Sequence, residues 1–464
     1  MKFQPLVLIT ILAAPSLSAQ LKPVPAPSAA DRANVERLER SLAHDSMEGR
    51  GTAMPGSTKA ARFLATEMKK VGLVSAGDSG FFQRVPMFMP LPKPVDTTAS
   101  RLPLAFTVVG GAGGRAAVTN GRGGPPRPPA EPTEPRACMA KDAKGQTTYD
   151  IQLAAFPAQL ARYDSMVAAA AARAAAGDTG SGRGGAPGGG RAGGGGGRGG
   201  AAQLRPTRLP SLADLDTVPV ERRRNAVNVV GMIPGSDPVL KNEVVLVLSH
   251  YDHLGMRTPA VPGGDSVYNG ADDDAAGTVA VLEIARLLKK AGSPRRTLVF
   301  ANMTGEETGL IGTNWFIAHP AFPLTQIVAG FEIEMIGRPD SLAGGPGKAW
   351  LTGYERSTMG DMLKQYGIAI VPDIRPTQSF FTRSDNIGLA RRGIVAHTLS
   401  TFNLHTDYHQ LSDDVDKIDF DHMTAVIHSG AEAVRHLADG PKPEWHAGCS
   451  PQAAAPGGRG AGGR

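Results

Sequence analysis

The stretch "NEVVLVLSHYDHLG", Asn242 to Gly255, carries five consecutive apolar residues and then turns abruptly polar at His250 and Asp252. A continuous Val/Leu run of this kind reads as a strand buried on both faces, the habit of parallel sheets. Working outward, "TVAVLEIARLLKK" (278–290) has the apolar spacing of an amphipathic helix. "RTLVFANMTGEE" (296–307) is a strand that runs into a turn, and "QIVAGFEIEMIGR" (326–338) and "RRGIVAHTLS" (391–400) are further strands. Helices are expected over Ser357–Gly367 and Asp419–Asp439. Strands alternating with helices predict an α/β fold: a mainly parallel, mixed central sheet with helices on both faces. Upstream, Val35, Leu38 and Leu42 mark a helix over 31–44. "GSTKAARFLATEMKKVGL" (56–73) marks another, with Ser57 as its cap and Gly72 as its stop. "MEGRGT" (47–52), between the two, reads as a polar turn.

The rest of the chain has a different composition. Of 464 residues, 58 are Gly and 37 Pro, and they crowd into 93–222 and 441–464. Tracts such as "GSGRGGAPGGGRAGGGGGRGG" cannot bury enough apolar surface to order themselves. The sequence therefore predicts a mostly disordered insertion over 93–222, with a possible helix in the Ala-rich 149–176, and a disordered tail over 441–464. The catalytic unit is expected in 223–440, joined by helices in 20–92. Cys138 and Cys449 are the only cysteines, enough for one disulfide and too few for a disulfide scaffold. Residues 1–19 read as an export signal: Lys2, the apolar "LVLITILAA" and the small residues of "PSLSAQ". A periplasmic or secreted protein follows, with no membrane association after cleavage. The net charge of +6 lies partly in arginines of the Gly-rich tracts, such as Arg183, Arg191 and Arg198. Those tracts lack interleaved aromatics, so a nucleic-acid partner is not expected.

The polar clusters sit where strands end. "SHYDH" closes one strand, "GEE" the next, "FEIEM" lies in a third, and "GADDDAAG" (270–277) opens a helix after the first. Ligands in open α/β sheets bind outside the carboxyl ends of the strands. Carboxylates and imidazoles converging there would repel strongly unless a cation neutralised them, and mixed His and carboxylate donors suit zinc. His250 and Asp252 share a strand face, so the Asp252 carboxylate is expected to accept the second imidazole N–H. Glu306 and Glu307 are adjacent and point differently, so one could bind metal while the other handles protons.

"SHYDHLG", "NGADDDAAG", "TGEETGLIG", "EMIGR" and "DYHQLSDD" resemble, in order and spacing, the motifs of the co-catalytic di-zinc aminopeptidases and glutamate carboxypeptidases. The resemblance covers about 223–440. It implies the phosphorylase/hydrolase-like architecture of zinc exopeptidases, two zincs per chain and peptide substrates. It implies that His250 and Glu334 hold the first zinc, that Asp273 bridges both, and that Glu307 and His409 hold the second. Glu306 resembles the general base, and Asp252 supports His250. Asp272 and Asp274 would shape the turn. One position departs from the family: Glu334 stands where an Asp is usual, and Glu332, on the same strand face, ranks below it. His253, His405 and Tyr408 are weaker candidates for substrate or supporting contacts, as are Arg383, Ser384 and Asp385 in "FFTRSDN" (380–386). His397 reads as structural. The expected activity is removal of N-terminal residues from peptides. Carboxypeptidase or dipeptidase action, a one-zinc glutaminyl cyclase and a non-catalytic binding protein are the alternatives; the complete donor set disfavours the last two.

Overall fold

The computed structural model describes residues 24–91, 126–175, 205–257 and 263–451. The expected export signal lies outside them, as do most of the glycine-rich tracts. No helix among the described residues is long and apolar enough to cross a membrane.

Helices α1 (Ala29–Leu42) and α2 (Pro55–Val71) come first, followed by strand β1 (Phe82–Phe88) and helix α3 (Thr148–Ala175). The α/β core then runs β2 (Arg223–Ile233), β3 (Val244–His250), α4 (Gly277–Ala291), β4 (Thr297–Met303), α5 (Ile311–Ala318) and β5 (Ile327–Glu334). It continues through β6 (Ala349–Leu351), β7 (Ile370–Pro372), α6 (Asn386–Ala390), β8 (Ala396–Ser400) and α7 (Phe420–Asp439). The sheet order is β7-β6-β8-β5-β3-β4-β2-β1. Its centre, β8-β5-β3-β4, is parallel, and β2 and β6 join it antiparallel. This is the mixed sheet expected from the sequence.

Alternate residues of β3 show why it lies at the centre. Val245 and Val247 join one apolar cluster with α1, α2, α4 and α7, whereas Leu246 and Leu248 join another with Phe316 and Ile317 of α5 and Leu389 of α6. With both faces covered, the strand stays apolar up to Ser249, whose hydroxyl donates to Asn302, and His250 follows at its carboxyl end. Helix α2 begins one turn earlier than Ser57 would place it: Pro55 takes the first turn and Ser57 lies inside, its hydroxyl donating to the Met54 carbonyl. Gly72 ends the helix at φ +81°, as expected. Asp419 caps α7 by accepting the His422 N–H.

Within 93–222, helix α3 falls where the Ala-rich helix was expected, and other described residues there and in 441–451 make fixed contacts with the core. Cys138 and Cys449 form a disulfide with Cα atoms 5.3 Å apart. Arg356 forks onto Glu134 at 2.6 and 2.7 Å, and the Thr148 hydroxyl donates to the Pro376 carbonyl. Thr207–Arg208 pairs with β1, and Trp445 donates to the Gly393 carbonyl. Composition is an average over a segment; a few side chains with fixed partners are enough to order part of it.

Candidate metal centre

The carboxyl ends of β3, β4 and β5 deliver His250, Glu306–Glu307 and Glu334 to one edge of the sheet, and the loop before α4 delivers Asp273. Gly270 and Gly277 make that loop possible. Gly270 has φ +56°, and a Cβ there would collide with the His253 ring and the Asp273 carbonyl. At Gly277 a Cβ would collide with the Ile333 carbonyl and the Asp274 carboxylate. The Asp272 carboxylate accepts the Gly337 N–H at 2.7 Å and faces His405 Nε2 at 2.9 Å. That of Asp274 accepts the Gly277 and Met335 N–H groups, each at 3.0 Å. Both outer aspartates thus secure the turn, and Asp273 is left facing the imidazoles.

Two donor groups share Asp273. In the first, His250 Nε2 lies 3.5 Å from Asp273 Oδ1 and 3.8 Å from Glu334 Oε1. In the second, His409 Nε2 lies 3.0 Å from Asp273 Oδ2 and 3.2 Å from Glu307 Oε2. His253 joins the second group, with Nδ1 2.9 Å from Glu307 Oε1 and 3.8 Å from Asp273 Oδ2. All five sequence-derived donors therefore converge, and His253, which ranked lower, sits among them. Its signal was the "HYDH" spacing, read from only its first histidine. His409 adopts φ +59°, a conformation that a non-glycine residue holds only when its surroundings enforce it.

The donor atoms fit cations. His250 Nε2, both His253 nitrogens, Asp273 Oδ2 and Glu307 Oε1 are buried and make no hydrogen bond of ordinary geometry. Such groups each carry a penalty of about 1–3 kcal/mol. A divalent ion between the facing lone pairs would relieve several at once. The electrostatics agree. Burial would lower the His250 pKa, yet Glu334, Glu306, Asp274 and Asp273 raise it well above the usual range. Burial would likewise lower His409, but Asp273 and Glu307 raise it to about 10. Burial would raise Glu307, whereas His253 and His409 hold it far below an ordinary carboxyl. The carboxylates of the cluster thus favour positive charge here.

Glu306 differs from its neighbour. It lies on the cleft wall, and burial together with Glu307 and Glu334 raises its pKa well above the usual value, against the pull of His250. The expected partnership of His250 and the Asp252 carboxylate is corrected. His250 Nδ1 lies 3.1 Å from the Asp252 backbone carbonyl and 3.9 Å from its carboxylate. The carbonyl takes the proton and leaves Nε2 for the metal. The Asp252 side chain instead accepts the Glu306 N–H at 3.1 Å and the Thr52 hydroxyl at 2.7 Å. It positions Glu306. Glu332, as ranked, is spoken for: it accepts from Ser384, Asp385 N–H, Asn386 N–H and Thr398. Ser384 and Asp385 are buried away from the cleft, and of that trio only Arg383 lines it.

"MEGRGT" is no plain polar turn. Arg50 is fully buried and donates to the carbonyls of Leu42, Tyr251, Asn269 and Gly270. It ties the end of α1 to both metal-bearing loops. Asp413 accepts the N–H groups of Asp272 and Asp273 and is itself held by Arg338 at 3.0 Å. Arg50 was not visible in sequence because all its partners are backbone carbonyls, and Asp413, though inside "DYHQLSDD", carried no sign that it braces the aspartate turn.

Fold and donor groups together resemble what the five motifs implied, a metal-dependent peptidase. The model of Peptidase family M28 matches residues 228–434, and over that segment the resemblance drawn from the five motifs holds. The chain is similar to a probable zinc metalloprotease of Leptosphaeria maculans, 33% identical over 110 residues, covering 24% of each chain. It is similar to leucine aminopeptidase 1 of Paracoccidioides brasiliensis, 26% identical over 209 residues, covering 42% of this chain and 51% of that one. The chain thus spans between a quarter and a half of the length of these relatives. Among solved structures, an aminopeptidase from Aneurinibacillus sp. strain AM-1 aligns over 88% of this chain and 94% of its own, with 15% identity and a TM-score of 0.46.

Proposed function

We propose that this protein is a zinc-dependent aminopeptidase, exported from the cytoplasm, that binds two zincs per chain. The observation that carries the reading is the pair of donor groups about Asp273, whose buried nitrogens and oxygens face one another at 3.0 to 3.5 Å. His250, Asp273 and Glu334 would hold one zinc; Asp273, Glu307, His409 and His253 would hold the other. Zinc, when bound, supplies Lewis acidity to a carbonyl and to a water molecule. The rest falls to the chain. Glu306 takes the proton of the attacking water and passes it to the leaving amine. Asp252 and Thr52 hold Glu306 in place through its backbone. The cleft, lined by Trp350, Phe380, Phe402 and Tyr408, takes the substrate side chain. The two relatives' names support peptide hydrolysis.

The test is a screen of aminoacyl anilides, N-acetylated peptides and dipeptides with zinc-loaded protein. Free N-termini should be cleaved and blocked ones spared; the reverse would make the protein a carboxypeptidase. Glu306→Gln should keep its zinc and lose on the order of 10²–10⁴-fold in turnover. Full activity in that variant removes Glu306 from the role, and loss of zinc makes it a ligand.

A further inference from the structure

The cleft has a wall that runs from the metal donors to a positive charge. Tyr408 stacks on His409 with ring centroids 3.9 Å apart, and Phe402 packs on Tyr408 at 5.1 Å. Phe380 meets Phe402 edge-on at 5.8 Å and stacks on Trp350 at 5.1 Å. At the far end the Arg383 guanidinium lies 5.1 Å from the centre of the Phe380 ring, exposed at the cleft mouth. No carboxylate of the described residues pairs with it; Asp273 and Glu334 gather at the other end, about His250 and His409. The cleft is therefore polarised. Its acidic end suits metal and a substrate amine, and its other end offers a cation whose donors find no partner among the described residues.

A guanidinium placed over an aromatic ring keeps its planar fork available, and that fork matches a carboxylate through two parallel N–H···O bonds. We propose that Arg383 is a specificity residue that receives a carboxylate of the substrate. The cleft then favours peptides that carry a carboxylate close to the scissile bond. This rests on the peptidase reading above. Two substrates present such a group: a dipeptide through its terminal carboxylate, and a longer peptide through an N-terminal Glu or Asp side chain. A residue of extended chain spans only about 3.3–3.6 Å, so both carboxylates lie within a few ångströms of the bond to be cut.

The experiment measures binding in the Glu306→Gln background, zinc-loaded, so that ligands persist. Calorimetry compares Leu-Gly with Leu-Gly amide, and glutamic acid α-amide with glutamine amide. One pair should show a preference for the carboxylate of about tenfold or more, the strength of a charged hydrogen bond. Arg383→Gln should bring that ratio close to one, and Arg383→Lys should leave it intermediate, since lysine keeps the charge and loses the fork. The pair that responds identifies the source, dipeptide terminus or acidic side chain. Equal binding within both pairs, or a preference unchanged in Arg383→Gln, overturns the proposal. The peptidase reading fails separately: it falls if the protein with Glu306 intact cleaves no peptide, even where binding depends on Arg383.

Discussion

The two donor groups at the centre share Asp273 but are built differently. The first combines His250 and Glu334 with one oxygen of Asp273, and the Glu334 side chain is 21% exposed. The second combines two imidazoles, His253 and His409, with Glu307, which is 7% exposed, and the other Asp273 oxygen. Its donor contacts run from 2.9 to 3.8 Å, against 3.5 to 3.8 Å in the first. More donors, with the shorter contacts, should bind a cation more tightly. The comparison teaches that one shared carboxylate can serve two sites of unequal affinity. The weaker is the one where the chain carries Glu334 in place of the family's usual Asp.

The largest expected effect tests the sharing itself. Asp273→Ala removes a donor from both groups and should leave well under one zinc per chain by mass spectrometry, with no measurable turnover. Retention of two zincs would mean that the groups are independent. Next in size is Glu334→Ala, which should lower the count from two to about one, since the second group keeps all four of its donors. Glu334→Asp shortens the reach by one methylene, about 1.5 Å, and should weaken the first zinc without abolishing it. Chelator titration of the wild type should then release zinc in two steps. Loss of both zincs in Glu334→Ala would reverse the ranking of the groups. The smallest effect belongs to His253→Ala, expected to weaken the second zinc about 10–100-fold while leaving the first in place. An unchanged affinity would return His253 to the role of a packing residue beneath Gly270.

Much of this was legible in advance. The unbroken apolar run of β3 already required a covered strand, and its sudden polar end located the site at the edge of the sheet. The five donors could be read because each lies in a short local motif with its own spacing. Three things were not legible. Asp252 could be placed near His250 from strand geometry, but that its backbone and not its side chain meets the imidazole depends on how the chain turns after β3. The ordered part of the insertion was hidden because composition says nothing about pairs such as Cys138–Cys449, 311 residues apart. Arg50 was hidden because all its partners are backbone carbonyls.

By itself, then, the sequence determined the alternation of strands and helices and the parallel centre of the sheet, and through the resemblance of its motifs it pointed to the five side chains that converge. Periodicity and motif spacing are local properties, and burial on both faces leaves little choice of residue. Only the tertiary structure decided which oxygens of Asp273 face which imidazole, that His253 joins the second group, and that Arg383 stands unpaired among the described residues at the end of an aromatic wall. Those are relations between segments far apart in the chain. They are set by the packing of loops at the strand ends, and no local pattern records them.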